Sequence, residues 1–210
     1  VKRAKWKLDP NAAIDDGRFK DILDAAKKDK RIHLALMIAG NMGWRVGEIV
    51  HVRVTDVDLR TATVRKWVLK KRGTGTAPTY VQKPIAGVVM PELERWIGTR
   101  RDGWLFPSVY GKQCDVFTRP KDKGKCLGCH VTKRTFQNGF KHFSSAAGVP
   151  EVHGRGIHSL RHCFAFRVAE KTKDPHKVRD MLDHEGIEVA ALYVQTADQK
   201  KILEDIGGVS

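Results

Sequence analysis

The 210 residues carry 39 Lys+Arg against 24 Asp+Glu, a net charge of +15. An apolar share of 41% is enough to build a core, which excludes a disordered tail, and no apolar run approaches the ~20 residues that a membrane-spanning helix needs. Four Cys are too few for a disulfide scaffold, and the start Val1-Lys2-Arg3-Ala4-Lys5 lacks the apolar stretch of a secretory signal, so a reduced, cytoplasmic setting is expected.

In chain order, Asp15 and Asp16 precede Phe19, Ile22, Leu23 and Ala26 at i, i+3, i+4, i+7 spacing, which predicts a helix with one buried face. Ile32 to Met42 is apolar almost all round and reads as a buried core helix. Gly43-Trp44-Arg45 interrupts it before a short helix through Val46 to Val50. Val52 to Leu59 and Thr61 to Leu69, rich in Val and Thr, predict strands; Gly73 to Pro78 predicts a turn, with return strands at Thr79 to Gln82 and Gly87 to Met90. Pro91 opens a helix through Glu92 to Ile97. After Leu105-Phe106-Pro107-Ser108 comes a polar, basic, Cys-bearing loop, then a helix over Thr135 to Ala147 that stops at Gly148. Further helices are predicted over His158 to Lys171, and from an Asp174 cap with Pro175 at the first position as far as His184, where Gly186 ends it. Ile187 to Tyr193 reads as a short element and Ala197 to Ile206 as a last helix. The expected class is α+β, mostly helical, with a small antiparallel β-sheet near residues 52–90.

The positive charge is uneven. Residues 170–210 hold nine acids and six bases, a balance of −3, which leaves +18 on residues 1–169. From Leu59 to Pro91 there are seven bases and no acid, and from Tyr110 to Lys141 eight bases face only Asp115 and Asp122. Two long stretches of one sign are the footprint of a polyanion partner, and nucleic acid is the expected one. A membrane surface fits less well, because the basic runs have no fatty helical face.

Two His-x-x-Arg pairs occur, His158/Arg161 and His176/Arg179, and spacing alone does not choose between them. Context does. The first lies in Gly156-Ile157-His158-Ser159-Leu160-Arg161-His162-Cys163-Phe164-Ala165; His184 follows in Leu182-Asp183-His184-Glu185, and Tyr193 in Ala191-Leu192-Tyr193-Val194. Upstream stands Gly43-Trp44-Arg45-Val46-Gly47-Glu48. This order resembles the tyrosine recombinases, or phage-type integrases, from Arg45 to Tyr193. The resemblance implies the catalytic-domain fold of that family and cleavage and rejoining of double-stranded DNA through a 3′-phosphotyrosine.

The resemblance also implies roles. Arg45 and Arg161 would hold the non-bridging phosphate oxygens, as guanidiniums can do in bidentate fashion. Tyr193 would be the nucleophile, and His158 and His184 would bond phosphate oxygens or manage the phenol proton. A lysine would protonate the leaving 5′-oxygen; Lys83, eight residues before Pro91, fits the family position, with Lys70 and Lys71 as alternatives. Glu48 would brace Arg45 by an ion pair, the plain reading being a helix-surface acid. With side chains as the cations, catalysis needs no cofactor. His162 reads as a packed neighbour of the site, and His176 with Arg179 as a solvated helix face. The family works as a tetramer on DNA, exchanging a C-terminal helix between subunits; residues 196–210, with Ile202, Leu203 and Ile206 as the apolar stripe, are the segment expected to do so. Family members usually carry an N-terminal DNA-clamping domain as well. Residues 1–210 are expected to be the catalytic domain alone, with that clamp absent or removed, and Val1 in place of Met hints at removal.

Cys126-Leu127-Gly128-Cys129-His130, with Cys114 upstream, has half of a zinc-knuckle pattern. The three thiols would need a fourth ligand, His130 or His142, to hold a structural zinc; free thiols in a solvent loop are the alternative. Cys163 reads as a small buried hydrophobe. Three rival functions share these features. A type IB topoisomerase or telomere resolvase would use the same residues on a single duplex, a silent DNA-binding regulator would form no covalent adduct, and a zinc-stabilised interaction module would not need Tyr193.

Overall fold

The structure is a computed structural model, and it describes residues 14–68, 79–108, 130–149, 156–183 and 186–207. Among these the order is α1 (Asp16–Ala26), α2 (Lys30–Met42), α3 (Val46–Ile49), β1 (Val57–Asp58), β2 (Thr63–Val68), β3 (Thr79–Pro84), α4 (Met90–Ile97), α5 (Lys133–Ala146), α6 (His158–Thr172), α7 (Pro175–Leu182) and α8 (Glu188–Gly207). The helices start where their caps stand. The carboxylates of Asp15, Asp29 and Asp174 and the hydroxyl of Thr132 each accept a backbone N–H from the first turn that follows.

Helix α2 is the hub. Nine of its thirteen residues are buried, and it packs against α1, α3, α4, α5 and α6. Gly40 is the point of closest approach, where a Cβ would overlap the Phe19 ring of α1. A second, smaller cluster joins α6, α7 and α8 through Phe164, Ala165, Ala169, Val178, Leu182, Ala190, Tyr193 and Ala197. Because α6 contacts both α2 and α8, it links the two clusters. No helix among the described residues is long and apolar enough to cross a membrane.

The sheet is antiparallel in the order β1-β2-β3, with Val64 opposite Lys83 and Lys66 opposite Val81. It is smaller than the composition predicts. Of Val52 to Leu59 only Val57–Asp58 pairs as a strand. The Asp56 carboxylate accepts the Arg53 N–H at 3.0 Å and closes a 3₁₀ turn over Val54–Asp56, a local bond that outcompetes a ladder. Gly87 to Met90 is no strand either. Val89 N–H donates to the Ala86 carbonyl at 2.8 Å, and Leu93 N–H to that of Val89, so the segment turns straight into α4 at Met90.

Two more boundaries differ from expectation. Helix α7 stops at Leu182, because Asp183 takes a left-handed conformation (φ +51°) and caps it three residues ahead of the stop expected at Gly186. The two predicted C-terminal elements are one helix, α8, with no Gly or Pro between Glu188 and Ile206 to break it. Its side chains from Lys200 onward, including Ile202, Leu203 and Ile206, lie outside the described ones, as does the Gly73 to Pro78 turn.

Candidate active site

The site forms where the ends of three elements meet the inner face of the sheet. Arg45 is the N-cap of α3, and Glu48, fully buried one turn later, reaches back to it twice. The Arg45 N–H donates to Glu48 Oε2 at 2.9 Å, and Nη1 donates to Oε1 at 3.1 Å. The predicted brace is therefore present, and Glu48 is no surface acid.

Beyond Glu48 the ion pairs continue. Strand alternation turns Val64 and Lys66 inward, and Lys66 is 1% exposed. Its ammonium donates to Glu48 Oε2 at 3.2 Å and to Asp183 Oδ2 at 2.6 Å, and lies over the buried Trp44 ring. Lys83, diagonal to Lys66 on the same sheet face, meets Asp183 Oδ1 at 2.6 Å and the Asp180 carbonyl at 2.7 Å. Burial would push the Asp183 carboxyl up, but hydrogen bonds from the two lysines outweigh it and hold the group below the ordinary carboxylate value of 3.8. Arg45, Glu48, Lys66, Asp183 and Lys83 thus make one chain of alternating charge.

Arg161, in the first turn of α6, is 2% exposed. Its Nη1 donates to the Gly43 carbonyl at 2.6 Å and its Nη2 to the Leu182 carbonyl at 2.5 Å, the closing residues of α2 and α7. Gly43 has to be glycine: its φ is +67°, and a Cβ would collide with Phe164 and Leu182. Burial first, then the neighbouring Arg45 charge, lower the Arg161 pKa to about 10, so the guanidinium is still charged at neutral pH.

Tyr193, on α8, is 2% exposed, and its hydroxyl makes a short hydrogen bond with His162 Nδ1. Burial raises the phenol to about 12, partly offset by the Arg161 charge. Phe166 packs edge-on against the Tyr193 ring at 5.1 Å. His158 is exposed, with its ring edge-on to His162 at 4.9 Å.

Of the residues expected here, Arg45, Glu48, Lys83, Arg161 and Tyr193 are brought together, His158 stands one helical turn from the Tyr193 hydroxyl's partner, and His184, Lys70 and Lys71 lie outside the described residues. Two residues exceed what their local sequence suggests. His162 is the hydrogen-bond partner of the candidate nucleophile rather than a packed neighbour. Lys66 is one of seven bases in an acid-free stretch, and the one signal that sets it apart is its parity with Val64 in the alternation of β2. His176 is exposed and Arg179 pairs with Asp180, as a solvated face should. Cys163 is buried, with its thiol pushed up to about 12 by desolvation, and is inert. Cys114, Cys126 and Cys129 lie outside the described residues, among which no group of three or more His, Cys, Asp or Glu could hold a metal.

The arrangement of two guanidiniums, a lysine pair and a phenol on a helical frame defines a class. The sequence pattern of the phage integrase family matches residues 13–200, and the chain belongs to that family. Tyrosine recombinase XerA of Pyrococcus horikoshii is 22% identical, over 93% of this chain and 64% of its own. Tyrosine recombinase XerD of Pseudomonas putida is 28% identical, over 84% of this chain and 53% of its own. The chain therefore spans between about half and two thirds of the length of these relatives. Among solved structures, the XerH site-specific recombinase in a post-cleavage complex with its palindromic difH substrate superposes with a TM-score of 0.66 at 18% identity, over 94% of this chain and 52% of that one. The fold is the tyrosine recombinase catalytic fold.

Replacing Lys66 with Met removes the cation between two buried carboxylates. The expected loss in urea-induced unfolding is about 3 kcal/mol, the lower end for breaking a buried pair, because Arg45 and Lys83 still offset Glu48 and Asp183. The pH dependence follows from Asp183. A depressed folded pKa contributes stability above the unfolded value of 3.8, and this is lost as pH falls through the lower folded value. Wild-type protein should therefore lose stability more steeply below pH ~4 than Lys66→Met, and equal slopes would refute the assignment.

Proposed function

We propose that this chain is the catalytic part of a site-specific recombinase or integrase that cleaves and rejoins duplex DNA through a 3′-phosphotyrosine. The observation that carries the reading is the placement of Tyr193 beside Arg161, with Arg45 near enough for its charge to bear on the same guanidinium. A phosphodiester entering there meets two permanent cations. Among the described residues, two of the N–H groups of Arg161 go to carbonyls that fix its plane; the rest of the fork is suited to phosphate oxygens. These cations offset the charge that grows on phosphorus as the phenol attacks. A lysine protonates the 5′-oxygen as it leaves; Lys83 is one candidate, held by Asp183, and Lys70 and Lys71 are the others. His158 and His184 serve the phosphate oxygens. The reaction conserves one ester bond and needs no cofactor.

Double-stranded DNA as partner is supported by the +18 carried on residues 1–169. Covalent trapping tests the reading. On a nicked suicide duplex, wild-type protein should yield a protein–DNA adduct stable to denaturant, and Tyr193→Phe none. A wild-type protein that binds the duplex in a salt-dependent way yet yields no adduct would instead be a silent DNA-binding regulator.

We also propose assembly as a homotetramer on DNA, with the end of α8 passed to a neighbouring subunit. The continuity of α8 from the nucleophile to Gly207, and the acidic balance of the last 41 residues against a basic body, support this. Deleting residues 198–210 should lower the mass of the protein–DNA complex in sizing experiments while leaving single-site binding intact; an unchanged complex refutes it.

A structural zinc in the Cys-bearing loop is a further proposal, with Cys114, Cys126 and Cys129 as the thiol ligands. Its support is the Cys-x-x-Cys-His spacing and the setting of His130. That ring lies 4.8 Å from His51, and in each of the two Nδ1 faces a backbone carbonyl, a pairing that puts the lone pair on Nε2, the metal-binding tautomer. His142, by contrast, is exposed on α5 against Phe143. Elemental analysis should find about one zinc per chain, and less than about a tenth would end the idea.

A further inference from the structure

The hydrogen bond between Tyr193 and His162 links the candidate nucleophile to a residue outside the set that the recombinase resemblance supplies. We infer that His162 is a catalytic residue, the base that takes the Tyr193 proton during strand cleavage. The inference rests on the recombinase reading and adds the identity of the proton acceptor to it.

The geometry supports it as follows. The Tyr193 phenol and His162 Nδ1 are in direct contact across the α6–α8 interface, so proton transfer needs no intervening water. Burial and the adjacent Arg161 charge lower the imidazole pKa, which makes the neutral ring the resting form at pH 7. A neutral ring beside a protonated phenol fixes the sense of the bond: Oη–H donates, Nδ1 accepts, and the ring proton sits on Nε2. The phenol is raised by burial, so in the resting site it stays protonated and unreactive. Arrival of a phosphodiester changes that balance. Its negative charge, placed against Arg161 and Arg45, stabilises the imidazolium that forms when the proton moves.

The step balances. The Tyr193 Oη–H bond breaks and its proton goes to His162 Nδ1; the Oη–P bond forms; the P–O5′ bond breaks, and O5′ takes a proton from the general-acid lysine. In the reverse step, the incoming 5′-hydroxyl gives its proton to the lysine as its O5′–P bond forms, the Oη–P bond breaks, and the released phenolate recovers its proton from His162. Exposed His158, edge-on to His162, is left for the phosphate side of the site.

Three variants on the same nicked suicide duplex test this. His162→Asn puts an amide oxygen close to the position of Nδ1, so it can still accept the phenol hydrogen bond but cannot take the proton. Its rate of adduct formation should fall by about 100-fold or more, the usual contribution of a general base, with DNA affinity and the unfolding midpoint held near wild type. His162→Ala should be as slow, and added imidazole should restore part of its rate. His162→Gln serves if the asparagine variant does not fold. Adduct formation by His162→Asn at or above the wild-type rate overturns the inference, and a rate above wild type would mean that the bond holds the nucleophile back. A wild-type chain that forms no adduct defeats the recombinase reading itself, and His162 with it; an active wild type with an active His162→Asn defeats only the role of His162.

Discussion

The rest of the site depends on a lysine buried between two carboxylates. Lys66 is 1% exposed, and a lone ammonium in such a place would cost several kcal/mol in lost hydration. It is tolerable only because Glu48 and Asp183 are both held against it. Each of those acids belongs to a different part of the site. Glu48 orients Arg45, and Asp183 closes α7 next to the carbonyl that receives Arg161. The same ammonium therefore sets both arginines in register with the sheet, although it touches neither.

The second constraint is the use of helix ends. Gly43 and Asp183, both with positive φ, end α2 and α7 so that unsatisfied last-turn carbonyls point inward. Arg161 takes up one from each. This spends part of its hydrogen-bonding capacity on the protein and fixes the guanidinium plane before any substrate arrives, which is what electrostatic catalysis requires. Asp183 stands where glycine is the easier residue. Its carboxylate, bonded to Lys66 and Lys83, offsets the cost of the left-handed backbone.

Much of this was legible in the sequence. Asp15 and Asp174 marked helix starts because capping is a bond between neighbours, and the apolar run from Ile32 to Met42 marked the hub because burial on all sides leaves no polar face. The boxes from Arg45 to Tyr193 named the two arginines, the phenol and Glu48, and the fold sets these side chains near one another. The errors fall where a local bond or a distant partner won. Asp56 closed a turn inside a Val-rich stretch that β propensity marked as strand. Val89 became a helix cap in place of a strand residue. His162 looked like packing because its partner is 31 residues away on another helix.

By itself the sequence determined the positions of the helices, the excess of positive charge and the residue types of the candidate site. These are properties of periodicity, composition and short spacing, which act between neighbours in the chain. Only the tertiary structure decided which charges are buried and what each one faces. Lys66 meets Asp183 across 117 residues, and Arg161 meets Gly43 across 118. Such pairs form because a buried charge must find its partner wherever the fold brings one, and no local pattern of residues encodes that meeting.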